Sequence, residues 1–486
     1  MNYKLTLNVL GIISLTVAGL MAIPFILALA YSEVATPLAF GITILALLVV
    51  GIPATLIKAK DKKLSARGGF LIVSLGWIYI SLMGAIPFCI SKAIPNYIDA
   101  VFETISGFTT TGASILTEIE ALPKSILFWR SFTHWIGGMG VLLFIIAVLP
   151  KGDPTIVHLI KAESPGPQFG KLVSKLRFSA QITYGIYIVL TLIEVIALAC
   201  CGCSAYDSFV HTFATAGTGG FSSYNASIAG LNSLAAEIVI TIFMMIFSIN
   251  FNLFYLLIIG HFKNVIKSEE LRTLFGVFIV SAFAIGISLT VTKTVGNFGE
   301  ALRLASFQSA SIMSTTGFST ADYTAWPAFC QVILFVLMFI GGSGGSTAGG
   351  LKVSRIIISF KSGLRRLKTS ISPKSFSPVK LDGKPITDEL TNSVNNYVCM
   401  FFIIVGISTL LVSLTSPSDF GLLENLSAVA TCINNVGPGF GKIGPTGNFS
   451  SFSMLSKLVL CFDMLIGRLE IIPLLLVFYP KSWIKN

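Results

Sequence analysis

The sequence predicts an all-α polytopic membrane protein of about ten spans, with four tandem copies of one unit after two extra N-terminal transmembrane helices. Three observations carry this. Of 486 residues, 54% are hydrophobic and only 11% charged, against about 25% charged in an average soluble protein. A short Thr/Gly stretch recurs four times at intervals of roughly 100 residues, a period that suits repeated membrane domains rather than a solenoid. The basic residues behind the formal net charge of +11 collect in alternate loops, as cytoplasmic loops of membrane proteins do.

Residues 8–30 and 36–57 are apolar runs, each long enough to cross about 30 Å of hydrocarbon. The first lacks a convincing small-residue cleavage site and a second follows at once, so it reads as a retained helix rather than a signal peptide. Lys58-Ala59-Lys60-Asp61-Lys62-Lys63 and Arg67 then mark the cytoplasmic side. Residues 69–91 span outward. Residues 96–108 are too short to cross, and read as a half helix that enters and returns, since irregular backbone at membrane depth survives only inside protein or facing a cavity. Residues 125–149 span inward.

The same order of span, half helix, Gly/Thr turn and span returns three times. The expected segments are 178–200, 205–216 and 232–260, then 273–292, 300–313 and 326–360, then 393–414, 420–433 and 452–479. The units run 67–160, 161–265, 266–385 and 386–486, after an N-terminal pair of helices in 1–66. Lys4, Lys151, Lys161, Lys171, Lys175, Arg177, Lys263, Lys267, Arg272, the run from Lys352 through Lys374 to Lys384, Lys481 and Lys485 all fall on one side, so both termini are expected in the cytosol.

The four turns are Thr109-Thr110-Thr111-Gly112, Gly217-Thr218-Gly219-Gly220, Ser314-Thr315-Thr316-Gly317 and Asn434-Asn435-Val436-Gly437. Such turns also serve as close-packing devices; four copies, each after a half helix and before a span, point instead to the quarters of one ion filter around a central pore. A dehydrated cation needs oxygens in place of its water, and backbone carbonyls supply them without fixed charge. Turning successive carbonyls toward one axis needs dihedrals that glycine allows. Threonine and serine add hydroxyls, and the negative end of each half helix would face the ion.

Other chemistry finds little footing. The eight cysteines fit no zinc spacing, and His134, His158, His211 and His261 are isolated, so the metalloprotease pattern is absent. No paired intramembrane acids or Ser/His set supports an enzyme, and the net charge needs no nucleic acid to explain it.

Two features suggest a gate. Gly341-Gly342-Ser343-Gly344-Gly345-Ser346-Thr347-Ala348-Gly349-Gly350 interrupts the last span of the third unit, and so poor a helix former is expected to unwind. It matches no phosphate-binding loop. Arg468 lies in an apolar span, where a charge is a functional candidate by default. It is expected to face the pore below the filter and touch the glycine loop; the alternative is a structural pair with Asp463 or Glu470. The basic 361–384 segment is a candidate contact for a regulator.

With Trp135-Ile136-Gly137-Gly138-Met139-Gly140 and Gly467-Arg468-Leu469-Glu470, these motifs resemble the TrkH/TrkG branch of the Trk/Ktr/HKT superfamily of potassium transporters, over essentially the whole chain. The resemblance implies potassium uptake across the bacterial inner membrane, K+ held at the filter residues as the transported ion, no organic cofactor, a homodimer, and a cytosolic TrkA-like ring with nucleotide-binding domains. It also links the filter glycine to K+ selectivity, and glycine stands in all four quarters at Gly112, Gly220, Gly317 and Gly437, whereas Gly217 and Gly219 depart from the Thr or Ser of the first and third. A coupled K+/H+ or K+/Na+ symporter is the other transport reading; broken helices serve carriers too, but those usually carry two inverted repeats rather than four units of one orientation.

Overall fold

The computed structural model describes residues 2–57, 66–140, 176–372 and 378–483. The basic residues expected in the cytosol at 58–63, Lys151, Lys161, Lys171, Lys175, Lys374 and Lys485, and the end of the span expected at 125–149, lie outside the described residues.

An N-terminal hairpin of α1 (Tyr3–Ala30) and α2 (Thr36–Leu56) precedes the repeats. Its helices pack closely because small residues meet at the seam. A side-chain carbon at Gly11 would lie 2.8 Å from Ala54 Cβ, and one at Gly51 would lie 2.9 Å from Leu15. Ser14 Oγ donates to Leu47 O at 2.8 Å and Asn8 Nδ2 to Thr55 O at 2.8 Å, the interhelical bonds that join helices where lipid gives no hydrophobic drive.

The first unit comprises α3 (Ala66–Ile90), the half helix α4 (Tyr97–Phe108) and α5 (Lys124–Gly138). The second has α6 (Leu176–Cys200), the half helix α7 (Ala205–Gly217), α8 (Leu234–Phe247) and α9 (Phe251–Ile258). A short α10 (Phe262–Lys267) leads to the third, with α11 (Glu269–Val291), the half helix α12 (Phe298–Met313), α13 (Ala328–Ile340) and α14 (Val353–Ile371). A two-stranded hairpin of β1 (Lys380–Leu381) and β2 (Lys384–Pro385) precedes the fourth, with α15 (Asp388–Thr415), the half helix α16 (Leu422–Asn434), α17 (Met454–Leu469) and α18 (Ile471–Phe478).

Six described helices are long and apolar enough to cross a membrane: α1, α2, α3, α6, α11 and α15. All four half helices stand where the sequence puts them, within two residues at either end. One device starts all four. Each has an acid at its third position, Asp99, Asp207, Glu300 or Glu424. The residues at the cap are Asn96, Ser204, Asn297 and Gly421; the first three side chains accept first-turn N–H groups, and Glu424 Oε2 accepts from Gly421 N–H at 3.0 Å.

The second spans differ from expectation. The stretch 232–260 is not continuous: α8 and α9 form a pair bent by 91°. The break sits at Ser248-Ile249-Asn250, where Asn250 Oδ1 caps α9 and the carbonyls of Phe247 and Ser248 are taken by the glycine stretch of the third unit. The stretch 452–479 also breaks, at Glu470, whose φ of 68° ends α17 and starts α18. The third breaks over 341–350, as its composition requires.

One apolar core joins α1–α5 to α15–α18, and a second joins α6–α8 to α11–α14. The hairpin seam supplies a test of this packing. Gly11→Leu forces a side chain into Ala54 and Thr55 and is expected to cost about 1–3 kcal/mol, read as a lower melting temperature of the detergent-purified protein; an unchanged melting temperature contradicts the seam.

Candidate ion pathway

The four Thr/Gly turns share one backbone conformation. The second residue of each is left-handed: Thr110 (φ 58°), Thr218 (57°), Thr315 (57°) and Asn435 (54°). The fourth has positive φ again: Gly112 (81°), Gly220 (74°), Gly317 (81°) and Gly437 (103°). The third N–H of each donates back to the half helix, Thr111 to Ser106 O (2.9 Å), Gly219 to Ala214 O (2.8 Å), Thr316 to Ser311 O (2.8 Å) and Val436 to Thr431 O (2.9 Å). This is the Schellman-like way to end a helix, and it delivers the chain directly from the helix C-terminus into the turn. β-branched threonine rarely adopts φ above zero, and three threonines doing so at one repeat position marks a backbone held by its surroundings.

The turns close into a ring. A carbon built at Gly112 collides with Gly219 O, one at Gly220 with Thr316 O, one at Gly317 with Val436 O and one at Gly437 with Thr111 O, each closer than 3.0 Å. The fourth residue of every unit therefore faces the third carbonyl of the next, and the fourth unit returns to the first. Among the described residues none of these four carbonyls accepts a hydrogen bond. A cavity of about 140 Å³ is lined by all four glycines together with Ser114, Ser222 and Ser319.

Hydroxyls were expected to face the ion; several are engaged within the protein instead. Thr109 Oγ1 and Thr111 Oγ1 bond at 2.8 Å, and Ser314 Oγ and Thr316 Oγ1 at 2.7 Å, bracing their strands. Asn435 Nδ2 donates to Thr111 Oγ1 (2.8 Å) and to Met464 O (3.0 Å). Among the described residues the four third-position carbonyls have no hydrogen-bond partner, and neither have Thr110 Oγ1, Asn434 Oδ1 and Asn435 Oδ1.

Three buried side chains that the sequence does not mark as site residues hold the segments flanking the ring, and one of them, Arg130, lines the cavity itself. Glu103 accepts from Ser114 Oγ (3.0 Å), Ile115 N–H (2.9 Å) and Arg130 Nε (2.6 Å). Arg130 also donates to Ser222 O at 3.1 Å, tying the first unit to the second. His134 Nδ1 meets Gly107 O at 2.7 Å. An unpaired buried charge is costly, so the Arg130–Glu103 pair, with both side chains almost wholly buried, also fixes its own geometry.

The glycine stretch 341–350 lies against the ring. Gly349 N–H donates to Thr315 Oγ1 at 2.6 Å, and Gly350 N–H to Asn434 O at 3.0 Å. The stretch is tied to its surroundings by Ser343 N–H to Ser248 O (2.9 Å), Gly344 N–H to Glu270 Oε1 (2.7 Å), Thr347 Oγ1 to Phe247 O (3.1 Å) and Phe251 N–H to Gly345 O (3.1 Å). Gly341, Gly345 and Gly350 have positive φ, Gly342 packs on Ala348, and Ser346 Oγ closes the turn on Ser343 O at 2.7 Å.

Arg468 spans three backbone carbonyls. It donates to Thr347 O at 3.0 Å and to Gly137 O and Gly138 O at 2.5 Å each. The acids weighed as its partners bond elsewhere: Glu470 with Arg355 at 2.5 Å, and Asp463 with Ser408 Oγ at 2.7 Å. Arg355 also stacks on Tyr397, 3.9 Å from the ring centre, and Lys352 Nζ donates to Ala348 O. Three cations thus fasten the stretch and its flanks.

A family model described as "TrkH: Cation transport protein" matches residues 38–485. The chain is 35% identical to the Trk system potassium uptake protein TrkH of Escherichia coli (strain K12), over 99% of this chain and 100% of that protein. It is 31% identical to the Trk system potassium uptake protein TrkG of the same organism, over 95% and 94%. The crystal structure of the potassium transporter TrkH from Vibrio parahaemolyticus superposes with a TM-score of 0.89 at 31% identity, covering all of both chains. These matches are to cation transport proteins, not to enzymes. The chain belongs to the TrkH family of cation transport proteins.

Proposed function

We propose that this chain takes up potassium across the bacterial inner membrane through a channel-like pore. The four units, 67–160, 161–265, 266–385 and 386–486, each contribute one filter strand. The observation that carries this reading is the ring in which each fourth-position glycine meets the third carbonyl of the next unit. Carbonyls without other hydrogen-bond partners are suited to replace the water shell of a K+ ion, and weak binding lets it leave. The half-helix C-termini add partial negative charge at the same place.

The gate in this reading is the 341–350 stretch, locked by Arg468. Its bonds to Thr315 and Asn434 join it to the filter, and Arg468 joins it to α5 and α17. Both termini lie in the cytosol, on the side of the basic loops. A cytosolic nucleotide-binding ring and a homodimer follow from the family resemblance. The docking surface we favour for the ring is α14, whose exposed Phe360, Leu364, Leu367 and Ile371 fall at helical spacing beside Arg366 and Lys368.

Rubidium-86 uptake into liposomes containing the purified protein, driven by an outward potassium gradient, tests the transport reading. Potassium is expected to compete far better than sodium. Uptake that needs an imposed proton or sodium gradient supports the coupled symporter instead.

Two substitutions test the parts. Gly112→Ala drives a carbon into Gly219 O at a positive φ and is expected to abolish selective uptake while the protein still purifies as a single species. Selective uptake that survives contradicts the ring. Arg468→Ala frees Thr347, Gly137 and Gly138 and is expected to raise basal flux by about 10- to 150-fold, the equivalent of the roughly 1.5–3 kcal/mol carried by a hydrogen bond to a charged group. Unchanged or lower flux in well-folded protein contradicts the lock.

A further inference from the structure

The second filter strand differs from the first and third in a way that the fold explains. In the first and third strands the first and third side chains bond to each other, Thr109 with Thr111 and Ser314 with Thr316. In the second strand both positions are glycine, Gly217 and Gly219, so no such brace forms. The space is taken by His134 of α5, a residue of the preceding unit. A carbon at Gly219 would meet the His134 imidazole, with Cγ and Nδ1 2.4 Å away and Cε1 at 2.5 Å. A carbon at Gly217 would meet His134 again, but there the nearest atoms are its backbone O and C. The imidazole also lies 4.1 Å from the ring centre of Phe221, the residue after Gly220. On the other side, the Arg130 guanidinium sits 3.6 Å from the same ring centre, one helical turn before His134.

We propose that His134 is the positioning residue of the second filter strand, replacing from outside the strand the brace that the first and third strands carry themselves, and that it sets the ion preference of that quarter. It rests on the ring being the ion filter. His134 Nδ1 is fixed on Gly107 O at 2.7 Å, the carbonyl two residues before the first filter turn. The ring is fully buried and Nε2 has no hydrogen-bond partner in the structure. One imidazole therefore touches the end of one half helix and the strand of the next unit, so the spacing of two adjacent quarters depends on it. Ion selectivity depends on the number and placement of the carbonyls around the ion, and a strand loosened on one side loses that placement.

The asymmetry between the two glycines supplies the test. Rubidium-86 uptake is measured in liposomes, with potassium and sodium as competitors, for the wild type, His134→Ala, Gly219→Ala, Gly217→Ala and the doubles of His134→Ala with each glycine variant. Wild-type protein that prefers potassium supports the filter itself; wild-type uptake without that preference overturns the filter and this role together. Given that preference, Gly219→Ala alone is expected to lose selective uptake. His134→Ala alone is expected to keep uptake but lower the potassium-over-sodium ratio by between about 2-fold and about 150-fold, the coupling range for residues in direct contact. The double with Gly219→Ala is expected to exceed both singles in that ratio, because the obstructing atoms are the imidazole itself. Gly217→Ala is expected to be inactive both alone and in the double with His134→Ala, because the obstruction there is backbone. His134→Asn, which can keep the bond to Gly107 O but lacks the outer ring atoms, is expected to purify normally and show the lowered ratio even where His134→Ala does not fold. An unchanged ratio in a monodisperse His134 variant overturns the role, as does a Gly219→Ala effect that is the same with and without the imidazole.

Discussion

The close approach of four backbone strands is the constraint on which the rest of the molecule depends. At Gly112, Gly220, Gly317 and Gly437 the next unit's carbonyl oxygen occupies the place of a side chain, and the backbone is left-handed as well. Three threonines and an asparagine are held at φ above 50° two residues before those glycines. Conformations of that kind cost on the order of 1–3 kcal/mol each and persist only where the surroundings over-determine them. Here the surroundings are the capped half helices, the buried Glu103–Arg130 pair and the bonds from the third-position N–H groups into the preceding helix.

The same network couples the ring to the stretch against it. Gly349 and Gly350 donate directly to Thr315 and Asn434 in the turns of the third and fourth units, and Arg468 reaches from the fourth unit to the end of α5 in the first. Buried charge is tolerated here because each cation is met by backbone carbonyls or an acid: Arg468 by three carbonyls, Lys352 by Ala348 O, Arg355 by Glu470. A shift of the glycine stretch cannot leave those carbonyls without also changing what Thr315 and Asn434 feel.

Much of this was legible in the sequence, and the reason is repetition. Four half helices, four glycines and a glycine-rich break recur or stand out by composition alone, and their positions agree with the structure. The acid at the third position of each half helix was equally readable, as a repeated capping pattern at Asp99, Asp207, Glu300 and Glu424, but it emerges only once the helix starts are aligned. The bends in the second spans were not legible. No glycine or proline marks Ser248–Asn250, and the break is stabilised by bonds from residues about 100 positions away, Ser343 and Thr347. The span breaks at Glu470, whose carboxylate pairs with Arg355, a contact that no local pattern announces. His134 and Arg130 were invisible as site residues for a related reason: each acts across the boundary between units, on Gly219, Phe221 and Ser222. The only local trace was the odd pair Gly217 and Gly219, a departure from the repeat that marks where a neighbour supplies the missing bulk.

In the proposed filter the third-position carbonyls of the four units form one ion site. Anomalous diffraction from crystals soaked in rubidium tests it most directly. A rubidium peak is expected on the axis among the carbonyls of Thr111, Gly219, Thr316 and Val436, displaced by potassium and weak in excess sodium. Rubidium bound elsewhere, with no peak inside that ring, would contradict it.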